Sequence, residues 1–158
     1  MMKFRTLDYL CNIVITISGL ALLLLILELA FSVYTRYVRN DPLSYSDELA
    51  KLLILIVALP LAAVCLREQS HLSITLLTAK LSAKAARRVD ILNSFVLLAF
   101  GIAMIYYPLL LMQIIWRSKI PTLGISQGYH YLPLVVTGML IVLFMLESLW
   151  FLITKKSQ

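Results

Sequence analysis

Residues 11–34 read CNIVITISGLALLLLILELAFSVY, an apolar run interrupted by a single charged side chain, Glu28. A helix rises 1.5 Å per residue and needs about 20 apolar residues to cross the hydrocarbon of a bilayer. This stretch is long enough to cross with some tilt. Outward from it lie further stretches of the same character at residues 49–66, 91–116 and 131–153. The second is at the short end of the usable range. The predicted fold is therefore all-α and integral to the membrane, a single membrane domain over residues 1–158 with four transmembrane helices.

Composition agrees. Of the 158 residues, 61% are hydrophobic and 14% charged, and the mean hydropathy is +0.93. A soluble domain is about 45–50% apolar and about 25% charged. The apolar excess finds its natural solvent in the bilayer. Lys3 and Arg5 give the chain a basic start, but the run after them far exceeds a signal-peptide core of about 7–15 residues, and no small-x-small cleavage site follows. The first stretch therefore reads as a span that is kept.

The formal net charge is +6, and most basic residues flank apolar runs. Their expected partners are anionic membrane lipids. Nucleic acid is not expected, because no basic face is interleaved with exposed aromatics. Cys11 and Cys65 are far apart and form no CxxC pair, so both read as buried, inert thiols rather than as a disulfide or zinc site. His71 and His130 fall in connections, which argues against a bis-histidine haem inside the helices.

Basic residues also set the orientation. With the amino terminus inside, the cytoplasmic side carries Lys3, Arg5, Arg67, Lys80, Lys84, Arg87, Arg88, Lys155 and Lys156. The opposite side carries Arg36, Arg39, Lys51, Arg117 and Lys119, so all 14 are assigned and the inner set is the larger. Both termini are predicted to be cytoplasmic. Aromatics fall where this arrangement puts the interfaces, with Tyr34, Tyr37, Tyr45, Trp116, Tyr129 and Tyr131 outside and Tyr9 and Trp150 inside.

The inner connection has a pattern of its own. Leu72, Leu76, Ala79 and Ala83 recur at helical spacing, with Lys80, Ser82 and Lys84 among the polar remainder. An amphipathic helix over about residues 72–85 is expected to lie along the cytoplasmic interface. The outer connections carry turn residues, Asn40-Asp41-Pro42 and then Pro121, Gly124 and Gly128. Ser44 or Ser46 is placed to cap the second helix, with Asp47 and Glu48 near the positive end of its dipole. Pro133 suits the first turn of the fourth helix, and Pro60 and Pro108 are expected to bend theirs.

Charge inside a membrane is the first place to look for function. Glu28 and Glu147 qualify, but they fall at different depths and make no carboxylate pair. The functional reading is a proton or sodium site at Glu28. The plainer reading is that each is neutralised by a basic neighbour or a partner subunit, with Arg67 or Lys155 the candidates for Glu147. The chain holds no GxSxG elbow, no phosphate-binding loop and no HExxH. Nor does it offer the broken helices and polar groups from which a complete secondary transporter is built.

At the second span the sequence becomes recognisable. Tyr45-Ser46-Asp47-Glu48-Leu49-Ala50 leads into the helix and Arg67-Glu68-Gln69-Ser70-His71-Leu72 leaves it. With Arg36-Tyr37, Pro121-Thr122-Leu123-Gly124-Ile125 and Tyr131-Leu132-Pro133, the chain resembles the small membrane subunit of tripartite ATP-independent periplasmic (TRAP) transporters over nearly its whole length. Tyr45 stands where Trp is more usual, and Asp47 where Glu is.

The resemblance implies a small subunit that braces a large, elevator-type membrane subunit. That partner carries the substrate and sodium sites, and a periplasmic binding protein delivers an organic acid such as sialic acid or a C4-dicarboxylate. No cofactor, metal or catalytic residue is implied on this chain. Tyr45, Ser46, Asp47 and Glu48 would fix the outer end of the second helix and could face partners. Arg67 and His71 would fix the turn into the interfacial helix, and Glu28, Arg36 and Glu147 are further interface or structural candidates. The rival readings are a self-sufficient four-helix multidrug exporter with Glu28 as its coupling acid, and a membrane enzyme or redox subunit.

Overall fold

The structure is a computed structural model that describes residues 5–40, 43–69, 83–122 and 124–154. It contains four long helices: α1 (Arg5–Val38), α2 (Ser46–Gln69), α3 (Ala83–Ile115) and α4 (Leu132–Thr154). Each carries a stretch long and apolar enough to cross a membrane, over Leu7–Val38, Ser46–Arg67, Ile91–Ile115 and Gln127–Trp150, the last beginning in the turn that precedes α4. The helices run past the apolar stretches at several ends, because flanking polar residues continue a helix once its hydrogen-bond ladder is established.

The expected interfacial helix lies almost wholly outside the described residues, as does His71. Its last positions, residues 83–85, form the first turn of α3. Both α2 and α3 continue as helix through Pro60 and Pro108.

The helices stand in a row rather than a square bundle. α1 packs on α2, α2 on α4, and α4 on α3. Cys11 meets Arg67 while Glu28 meets Ser46, so α1 and α2 are antiparallel. Glu48 lies near His130 and Arg67 meets Glu147, so α2 and α4 run parallel. α4 is the most buried of the four helices. Its Ile141, Phe144 and Met145 pack with Cys11, Ala63 and Val64 into a core displaced toward the Arg67 end of α2. Outward faces are apolar too: Leu24 and Leu27 of α1 and Phe95, Phe100 and Tyr107 of α3 are exposed. That is the surface a bilayer solvates.

α3 and α4 come together at paired glycines. A methyl group at Gly138 would lie 2.9 Å from the Gly101 carbonyl oxygen, so only hydrogen fits. Small residues bring membrane helices into this backbone contact, where packing replaces the missing hydrophobic drive. The link between α3 and α4 is a tight loop. Its backbone pairs Ile120 with Ile125 and Gln127 with Ser118, and Gly124 takes the left-handed φ of +68° that closes the turn. A 3-10 turn, Gln127–Tyr131, leads into α4.

Candidate functional site

α2 is the element that positions the polar groups, and it does so at both ends. Arg67 sits near its carboxyl end, where the helix dipole favours a cation. Its Nε donates to Glu147 Oε2 at 2.9 Å and its Nη2 to Oε1 at 3.1 Å, a two-pronged pairing. Its Nη1 lies 2.9 Å from Asp8 Oδ1 and donates to Cys11 Sγ at 3.1 Å. The Phe144 ring centroid is 5.2 Å from the guanidinium carbon, a cation–π approach. Asp8 and Cys11 are one turn apart on α1, as Phe144 and Glu147 are on α4, so one side chain of α2 is gripped by two helices. The Arg67 and Glu147 side chains are 6% and 7% exposed against 46% for Asp8, which puts the strength of the joint in the Glu147 pairing.

The other end of α2 holds a second joint. The Ser46 hydroxyl donates to Glu28 Oε1, which links the first residue of α2 to α1. Glu28 Oε2 is buried and has no hydrogen-bond partner among the described residues. Glu48 pairs with Lys51 at 3.2 Å and lies 3.8 Å from His130 Nε2, which brings the turn before α4 against the start of α2. Tyr45, Asp47 and Arg36 are exposed around this end. Between the two joints α2 runs from Ser46 to Arg67, roughly 30 Å at the helical rise. Glu28 and Glu147 therefore stand too far apart to act as a carboxylate pair.

Several of these partners escape a reading of the sequence. Asp8 is one polar residue before an apolar run, and nothing in its spacing points to Arg67. His130 lies far along the chain from Glu48. Cys11 is buried as expected, whereas Cys65 is exposed. Ala63, Val64 and Arg67 take the packed face of α2, and Cys65 falls on its opposite side. Among the described residues no three His, Cys, Asp or Glu side chains gather as metal ligands would. Helices joined this way can be held in fixed register.

These features define a multi-pass membrane protein. The model of the family described as tripartite ATP-independent periplasmic transporters, DctQ component, matches residues 25–155. The sialic acid TRAP transporter small permease protein SiaQ of Vibrio cholerae serotype O1 is 32% identical over 141 residues, covering 87% of this chain and 78% of that protein. The chain belongs to the family of small membrane subunits of TRAP transporters.

Proposed function

We propose that this chain is a small, non-catalytic scaffold subunit that braces the large, elevator-type membrane subunit of a TRAP transporter. The transporter would take up an organic acid, of the sialic acid or C4-dicarboxylate class, driven by sodium and delivered by a periplasmic binding protein. The observation that carries the reading is the likeness to the Vibrio cholerae small permease along most of both chains. The internal bonding supports it. Glu147 is tied to Arg67 and Glu28 to Ser46, so the membrane-embedded carboxylates serve the register of the helices rather than a moving ion. Sodium sites belong on the partner, and this chain needs no cofactor. With both termini cytoplasmic, the Arg67 end faces the cytoplasm. The Ser46 end then presents Tyr45, Asp47, Glu48 and Arg36 to the periplasm and to partner proteins.

The test is purification of the tagged chain from its native host in mild detergent. A large membrane protein is expected to come with it in roughly equal amount, and the pair in liposomes should take up the acid only with a sodium gradient. Glu28→Gln, which keeps an acceptor for Ser46, should leave that uptake largely intact. A chain that transports alone, and loses transport on Glu28→Gln, would overturn the reading in favour of a small exporter.

A further inference from the structure

A cleft of about 310 Å³ opens between α1 and α4, from the middle of the molecule toward the Ser46 end, with α2 as its floor. Ile17 and Ser18 form one wall, Ile56 and Pro60 the floor, and Leu132 and Val136 the other wall. Ser18 is the smallest of these side chains. Its hydroxyl is buried without a hydrogen-bond partner among the described residues. An empty cleft would cost its lining the dispersion contacts of a packed interior.

The charge at its mouth says what fills it. Glu48, Leu52, Ile56 and Pro60 succeed one another four residues apart and so share one face of α2. The apolar floor therefore leads to Glu48, which has the Lys51 ammonium at 3.2 Å and His130 Nε2 at 3.8 Å. Lys51 is 63% exposed and has donors left over for a second anion. A cation beside an anion, at the edge of a membrane span, complements the phosphate and ammonium of a zwitterionic head group.

We propose that this cleft is a binding site for one zwitterionic phospholipid from the leaflet at the Ser46 end. One acyl chain lies along Ile56 and Pro60, and the head group rests on Lys51, Glu48 and His130. The site wedges α1 against α4 where protein contacts are thin, while the Arg67 joint closes the far end. This assignment is independent of the transported substrate.

The test counts phospholipid held by the purified complex, and by the full chain alone, after exchange into lipid-free detergent. Native mass spectrometry should find one phospholipid per copy of this chain. Ser18→Phe and Ile56→Phe, which fill the cleft, should each abolish that retention, while Val96→Phe on the exposed face of α3 should keep it. Lys51→Gln, outside the apolar packing, should lower retention several-fold without altering the unfolding transition. On adding lipid back, phosphatidylethanolamine should restore occupancy better than phosphatidylglycerol. No retained lipid in the unmodified protein, retention unchanged by both cleft-filling variants, preference for the anionic lipid, or cross-linking of a large-subunit side chain into the cleft would each overturn the proposal.

Discussion

Arg67 places a guanidinium among apolar helices, and its stability rests on Glu147 answering it with both carboxylate oxygens. Removing one partner leaves the other charge buried and unanswered, which costs about 3–5 kcal/mol. Arg67→Ala and Glu147→Ala should each weaken the fold by that amount in reversible unfolding from mixed micelles. The apolar double replacement Arg67→Met with Glu147→Leu should recover most of the loss, because it removes the charges together. At the opposite joint, Ser46→Ala deprives the Glu28 carboxylate of its donor and should cost about 1–3 kcal/mol. The same unfolding assay checks it, with Ser46→Thr as the variant that keeps the hydroxyl. Glu28 and Glu147 are conspicuous in the sequence because a charge in an apolar run has few innocent explanations. Asp8, Cys11 and His130 are not, since each matters only through the residue that packing brings to it.

At the scale of the helices, the decisive contact is α3 on α4. Gly138 lies against the Gly101 carbonyl and Ile105, with no room for a methyl group. Gly138→Leu should prise the pair apart and cost about 1–3 kcal/mol or more through overpacking. Gly19 lies on the open side of α1, where an added methyl group would meet nothing within 4 Å. Gly19→Ala should be neutral or slightly stabilising, since alanine is the better helix former by about 1 kcal/mol. Comparing unfolding midpoints of the two variants separates a packing glycine from an unconstrained one. The existence and order of the helices follow from apolar length alone. Which glycine is indispensable does not, because both sit in similar apolar sequence.

For the whole molecule, the row α1–α2–α4–α3 makes α4 the member that joins two antiparallel pairs. Phe144, 1% exposed, packs in the core that α4 shares with α1 and α2. Phe144→Ala should cost about 3–5 kcal/mol by leaving a cavity there. Phe100→Ala, on a face turned outward, should leave the isolated chain nearly as stable as before. Unfolding monitored separately in the two halves would show Phe144→Ala loosening α1 and α2 from α4 first. A row has two broad apolar faces where a square bundle has a closed core, which is a shape suited to lie against a larger membrane protein.

The sequence by itself determined that this chain crosses a membrane four times, where the helices fall, and which charges stand at their ends. Those properties depend on the free energy of moving consecutive side chains between water and hydrocarbon, which is summed along the chain. The tertiary structure alone decided the order of the helices in the row, the choice of Arg67 over Lys155 as the partner of Glu147, the grip of Asp8, Cys11 and Phe144 on Arg67, the link from Ser46 to Glu28, and the cleft over Pro60. All of the apolar helices are equally soluble in lipid, so hydropathy cannot choose their neighbours. That choice is made by a few close contacts, glycine on glycine and one guanidinium among three helices, whose partners are far apart in sequence.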